Sequence, residues 1–200
     1  IIKIFFHARL FYNKKIKTVL VTGNQGYIGS VLTEVLKEKG YEVIGFDTNY
    51  YQSIPSVRSK NSIKQIKKDI RNVSQEDLDG IDAVIHLAAL SNDPLGEFDI
   101  SLTEDINYKS TIKIAKLAKK AGIKRFIYAS SQSMYGISEI DKELEEDNSE
   151  KNAITAYAKT KWKAEQELKK LHDDNFMVVC FRPATVFGAS PKLRCDIVFN

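Results

Sequence analysis

The chain has 200 residues and a formal net charge of +4, with 43% hydrophobic and 28% charged residues. That length holds one domain with a sizeable core, and the balance is that of an ordinary globular protein, not a disordered or fibrous one. The positive charge comes mainly from lysines set among acids, as in Glu34, Lys37, Glu38 and Lys39. Such mixing describes a solvated helical surface and argues against a nucleic-acid partner, which would need clustered arginine.

Two cysteines, Cys180 and Cys195, show neither CxxC spacing nor a histidine at ligand spacing, so no metal is expected. Cys180 lies in the apolar run Met177–Phe181, as a buried thiol would, and a reducing cytoplasm fits. Apolar residues at the start of the chain are broken by Lys3, His7, Arg9, Lys14 and Lys15. Their longest uncharged run falls far short of the roughly 20 residues that span a bilayer, and no membrane partner is expected. Residues 1–16 read as an N-terminal extension outside the fold, and 17–200 as the folded domain.

From there strand-like and helix-like patterns alternate, as in a parallel sheet with crossover helices. Residues 18–21 predict a first strand. Tyr27, Ile28, Val31, Leu32, Val35 and Leu36 then mark one helical face that stops at Gly40. Residues 41–47 predict a second strand, ending in Asp47, and a weaker one follows near 63–66. Residues 83–87 have the continuous apolar character of a fully buried strand, within which His86 reads as a packed core histidine. Leu102, Ile106, Ile114, Leu117 and Ala118 recur at helical spacing up to Gly122. Residues 126–130 predict a fifth strand, the acidic stretch 139–150 a solvated loop, 156–171 a helix and 177–182 a sixth strand. The fold class is therefore α/β, a doubly wound parallel sheet of the NAD-binding Rossmann kind.

Between the first strand and first helix stands Thr22-Gly23-Asn24-Gln25-Gly26-Tyr27-Ile28-Gly29. In such a GxxGxxG, Gly23, Gly26 and Gly29 allow a tight turn, close approach of backbone to a pyrophosphate, and close packing of helix on strand. The helix N-terminus then offers free N–H groups to the phosphates. Asp47, about 20 residues further on, can accept both ribose hydroxyls of NAD and would repel the 2′-phosphate of NADP.

Tyr157-Ala158-Lys159-Thr160-Lys161 puts Tyr157 and Lys161 on one helical face. Tyrosine is a poor base because its ordinary pKa is about 10. A nearby ammonium and a positive nicotinamide favour the phenolate, so Tyr157 can take a proton from a substrate hydroxyl while Lys161 also holds the nicotinamide ribose. The run from Ser130 to Gly136 sets several hydroxyls at a strand's C-terminal end, where open α/β sheets bind ligands. A serine there can share charge on the reacting oxygen.

With these motifs in hand, the chain resembles the extended short-chain dehydrogenase/reductases, the NAD-dependent epimerase/dehydratase group that acts on nucleotide sugars. The likeness runs from about Lys17 to the last residue. It rests on Thr22–Gly29, Asp47, Asp69-Ile70-Arg71, His86-Leu87-Ala88-Ala89, Asn107, Ser130–Gly136, Tyr157–Lys161 and Arg182–Gly188. By that resemblance Tyr27 and Ile28 lie on the pyrophosphate, and Asp69 and Ile70 flank the adenine. Leu87, Ala88 and Ala89 line the cofactor, Asn107 reaches it from a helix, and Pro183 and Ala184 border the nicotinamide. Ser131 is the catalytic hydroxyl beside Tyr157 and Lys161, and it faces the sugar nucleotide with Thr185 and Asn200.

The resemblance implies NAD as cofactor, a nucleotide-sugar substrate and a homodimer built on two of the helices. It also implies a smaller substrate lobe, which is expected to be missing after Asn200. The expected activity is epimerisation through transient hydride transfer. A dehydrogenase or reductase using the same residues, or a non-catalytic NAD-binding fragment, is the alternative. Three departures stand out: Gln132-Ser133 replaces the Asp-Glu of the 4,6-dehydratases, the proline often found before the catalytic tyrosine is absent, and Ser91-Asn92-Asp93-Pro94 has no close match in the best-known epimerases.

Overall fold

The computed structural model describes residues 16–50, 63–91, 93–137, 143–192 and 194. Six parallel strands form one sheet: β1 (Thr18–Thr22), β2 (Glu42–Asp47), β3 (Lys64–Lys67), β4 (Ala83–His86), β5 (Arg125–Ala129) and β6 (Met177–Phe181). Their spatial order is β3-β2-β1-β4-β5-β6. The chain runs outward from β1 to β3, then crosses to β4 on the other side of β1. That reversal opens a crevice beyond the C-terminal ends of β1 and β4, where doubly wound sheets bind their ligands.

The period-two alternation of strand side chains divides the core into two layers. Leu20, Ile44, Phe46, Val84, Phe126 and Tyr128 point to one side. There they meet Ile114, Ala115 and Ala118 of α4 (Ser110–Lys120) and Ala164 and Leu168 of α5 (Ala156–Leu171). Val19, Val21, Val43, Ala83 and Ile85 point to the other side, against Leu32 and Leu36 of α1 (Tyr27–Glu38). Ile16 also packs on this second cluster, so the ordered core takes in the residue just before the expected boundary. Residues 1–15, and with them nearly all of the expected extension, lie outside the described residues, as does Asn200.

Strand boundaries fall within a residue or so of the sequence expectation, and one helix departs from it. The single helix expected from Leu102 onward is α3 (Ile100–Glu104), a π turn at Asp105–Lys109 and then α4. A further short helix, α2 (Asp93–Phe98), precedes α3. The π turn has local chemical causes. Ser110 Oγ donates to Asp105 O at 2.7 Å and Thr111 Oγ1 donates to Asn107 O at 2.8 Å. The Ser110 N–H also donates to Asp105 O, the i→i−5 bond of a π turn, so the amide and hydroxyl of one residue serve the same carbonyl.

Candidate active site

The glycine loop is shaped by close approaches. Gly23 leaves β1 with φ +70°, and a Cβ there would sit 2.8 Å from the Ala88 nitrogen. Only glycine takes that conformation while letting the loop brush past the exit of β4. A Cβ on Gly29 would lie 2.1 Å from Gly23 O, so the first turn of α1 packs directly on the loop. Gly26 is the N-cap residue and supplies no side-chain cap to α1. No side-chain cap therefore covers the first N–H groups of Tyr27 and Ile28, which fits a pyrophosphate.

Asp47 ends β2 beside this loop. Its carboxylate accepts Gln25 N–H at 3.1 Å and Asn49 N–H at 2.9 Å, which leaves lone pairs on both oxygens for a ribose diol. Beneath it, Asn24 Nδ2 donates to Gln65 Oε1 at 2.9 Å and Gln65 Nε2 donates back to Asn24 Oδ1 at 3.2 Å. A Cβ on Gly45 would lie 2.4 Å from both side chains. That glycine in mid-strand makes room for an amide pair that pins the loop to β3.

Asp69 accepts Arg71 N–H at 2.8 Å and the Arg71 guanidinium at 2.7 and 3.0 Å. The hydrogen-bonded Arg71 side chain holds its carboxyl below the ordinary range. Ile70 beside it is buried. Leu87, Ala88 and Ala89 form the exit of β4. Asn107 clamps the end of that exit, accepting Leu90 N–H at 2.8 Å and donating to Leu90 O at 2.9 Å, and its Nδ2 also donates to Thr160 Oγ1 at 3.5 Å. After β6, Pro183 O accepts Gln132 N–H at 3.2 Å, while Ala184 and Thr185 are exposed. The segment then passes the start of α1, where Tyr27 OH donates to Gly188 O at 2.6 Å and Ser190 Oγ donates to Tyr27 O at 2.7 Å.

On the catalytic side, Thr155 caps α5 by accepting Ala158 N–H at 3.2 Å. Tyr157 falls in the first turn, where the helix dipole favours negative charge. Lys161 is 3% exposed, and its ammonium donates to Ala129 O at 2.7 Å. It lies 4.8 Å from the Tyr128 ring centre and 5.6 Å from that of Tyr157. Burial pushes the Lys161 pKa down to about 7. Ser131 accepts Ser133 N–H at 3.2 Å, and the two hydroxyl oxygens are 2.6 Å apart. The neighbouring serine faces the other way: Ser130 Oγ donates to Glu165 at 2.8 Å in the core.

Sequence reasoning passed over Glu165 although its signal was present. It stands four residues after Lys161, as Lys161 stands four after Tyr157, so all three share one face of α5. Glu165 is 1% exposed and paired with Arg182. His86 is fully buried, as its strand position predicts. Among the described residues no group of His, Cys, Asp and Glu is set to hold a metal, and no helix is long and apolar enough to cross a membrane.

Comparison with known proteins identifies the family. The model of the NAD dependent epimerase/dehydratase family matches residues 19–197. UDP-glucose 4-epimerase of Bacillus subtilis is 31% identical over 195 residues, covering 88% of this chain and 55% of that protein. Human dTDP-D-glucose 4,6-dehydratase is 31% identical over 183 residues, covering 86% and 51%. UDP-glucuronic acid 4-epimerase from Bacillus cereus, solved with NAD, superposes with a TM-score of 0.75 at 29% identity, over 91% of this chain and 60% of that one. The chain spans about half the length of the curated relatives it matches. By fold, motif order and similarity, it belongs to the NAD-dependent epimerase/dehydratase family.

Proposed function

We propose that this chain carries the NAD-binding half and the proton-transfer groups of a nucleotide-sugar epimerase. The observation that carries the reading is the position of Lys161. Its ammonium holds the carbonyl of Ala129, two residues before Ser131, and stands 5.6 Å from the ring of Tyr157. One buried cation therefore ties the strand end bearing the serine to the helix bearing the tyrosine, at the ligand-binding ends of the strands.

The glycine cradle would hold the pyrophosphate, Asp47 the adenosine ribose, Leu87, Ala88 and Ala89 the cofactor wall, and Lys161 the nicotinamide ribose. Bound NAD supplies a reversible hydride acceptor. Tyr157, favoured as phenolate by Lys161 and by its place at a helix N-terminus, takes the hydroxyl proton of the sugar carbon being oxidised and later returns it. Ser131 donates a hydrogen bond to the same oxygen as its charge changes. The keto sugar turns over between the two transfers, so that hydride returns to its opposite face and inverts the centre. Thr185 would face the sugar nucleotide.

Purification of the whole protein followed by mass spectrometry of its released nucleotides tests the cofactor. Incubation with UDP-hexoses, with the sugar configuration followed by NMR, tests the chemistry. Retained NAD and interconversion of epimers without net consumption of cofactor is the expected result. Stoichiometric release of NADH with an oxidised sugar would overturn it in favour of a dehydrogenase.

A further inference from the structure

His86 lies at the centre of a hydrogen-bond chain whose every proton can be assigned. Thr111 Oγ1 donates its single proton to Asn107 O at 2.8 Å. At 2.9 Å from His86 Nε2, the Thr111 oxygen can therefore only accept, which puts the ring proton on Nε2. Nδ1 is then bare and accepts from Thr22 Oγ1 at 2.7 Å. Thr22 in turn accepts the N–H groups of Leu87 and Ala88, each at 3.2 Å. The opposite tautomer would aim a third N–H at the Thr22 oxygen and leave the Thr22 proton without its acceptor. A charged ring is opposed by full burial and by the nearby Lys161, which together push the His86 pKa down to about 3.

The chain has a consequence for the cofactor wall. The exit of β4 is held at its start by Thr22, through Leu87 and Ala88, and at its end by Asn107, through both backbone groups of Leu90. Thr22 ends β1 just before the glycine loop, and Asn107 lies in the π turn. The imidazole is the rigid strut between them, flanked by the Phe126 and Tyr128 rings at 5.9 and 6.0 Å. Ala88 is also the residue whose backbone a Cβ on Gly23 would meet first. The width of the groove between glycine loop and wall is therefore set by groups this histidine spaces apart.

We propose that His86, held as the neutral Nε2–H tautomer, is a positioning residue that braces the Leu87–Leu90 wall against the glycine cradle and so sets the affinity for NAD. The proposal rests on the NAD-binding reading and deepens it. Neither His86 nor Thr111 touches the cofactor in this account, and each acts through the backbone of the wall.

Two measurements on the whole protein decide it. Ring 15N spectroscopy of histidine-labelled protein at neutral pH should find His86 protonated at Nε2 and bare at Nδ1. NAD titration should find Thr111→Val weakened about tenfold, the scale of leaving one buried donor unmet, and Thr111→Ser restored to within about twofold. Ile123→Val, a core change at the far end of α4, loosens packing without touching the chain and should leave NAD affinity unchanged. An Nδ1–H tautomer in the unsubstituted protein overturns the proposal. So does unchanged affinity in Thr111→Val, or equal weakening in Ile123→Val. The tautomer is read without cofactor, so it decides the brace even if Thr111→Val fails to fold. Failure of the unsubstituted protein to bind NAD would count against the cofactor reading instead.

Discussion

Glu165 and Arg182 form an ion pair at 2.5 Å in which the side chains are 1% and 8% exposed. The pair is the hub of a wider network. Glu165 also accepts Ser130 Oγ at 2.8 Å, and Arg182 donates to Tyr135 OH and to Glu146 O, each at 2.6 Å. Hydrogen bonding to Glu165 raises the Arg182 pKa further above its already high range. The network joins α5 and β6 to both ends of the 130–136 segment, and so supports Ser131 from behind. Removing one partner strands the other in the core, which typically costs about 3–5 kcal/mol. We expect Glu165→Leu and Arg182→Met each to lower the urea midpoint strongly, with the double variant more stable than either. Additive losses in that cycle would show that the pair does not act as a unit.

Tyr157→Phe removes one hydroxyl and leaves the helix, Lys161 and the glycine cradle in place. NAD affinity should therefore stay near that of the unsubstituted protein while turnover of the whole protein falls by roughly 10²–10⁴-fold, the usual range for general acid–base catalysis. Ser131→Ala should lower turnover by about 10²–10³-fold, as loss of one preorganised donor does. Near-normal turnover by Tyr157→Phe would sink the proton-transfer assignment.

We expect Asp47 to discriminate between cofactors through charge. Its oxygens accept two backbone N–H groups, and on the proposed reading they meet the adenosine ribose, where a 2′-phosphate would meet a second anion. Neither Thr48 nor Asn49 offers a cation in compensation. Calorimetric titration should find NAD bound more tightly than NADP, and Asp47→Ala should narrow the difference. Equal binding of the two by the unsubstituted protein contradicts this account.

By the family resemblance, Gln132-Ser133 stands where the 4,6-dehydratases carry the pair that expels water. Elimination needs an acid and a base beside the keto sugar, and Gln132 and Ser133 supply neither near neutral pH. Ser133 is instead occupied with Ser131, their hydroxyls 2.6 Å apart. No 4-keto-6-deoxy sugar should accumulate when the whole protein is given dTDP-, GDP- or CDP-hexoses. Its appearance by mass spectrometry would refute the prediction.

What could be read in the sequence follows the physics of each signal. The apolar runs Val19-Leu20-Val21 and Ala83-Val84-Ile85 reveal strands because burial acts on every residue of a central strand. The π turn at Asp105–Lys109 was hidden because apolar spacing survives one extra residue, and its causes are hydroxyl bonds made only in the folded chain. Glu165 had helical spacing in its favour, but its company outweighed that signal. In α5 it stands among Lys163, Glu167, Lys169 and Lys170, a run that looks solvated until Arg182 arrives from β6. Gly45 carried a signal that was passed over, since glycine in a buried strand often marks a close approach.

Lys161 should weaken the fold that it equips for chemistry. Its pKa is about 7 in the folded chain against an ordinary 10.5. Between those values the unfolded chain holds a proton that the folded chain has shed, so stability rises with pH across that window. Below pH 7 both states are protonated and the full burden of a buried cation is present; above about 10.5 it has vanished. Lys161→Met removes the charge and keeps most of the apolar stem. It should stabilise the protein at pH 6, by an amount on the order of a few kcal/mol at most, and by clearly less at pH 9. Losing the hydrogen bond to Ala129 O subtracts a term that does not change with pH, so the difference between the two pH values is the quantity to read. The same variant should be inactive and bind NAD poorly, a trade of stability for function seated in one side chain. Urea midpoints that shift equally at pH 6 and pH 9 would show that Lys161 is not held in the depressed state derived from its burial.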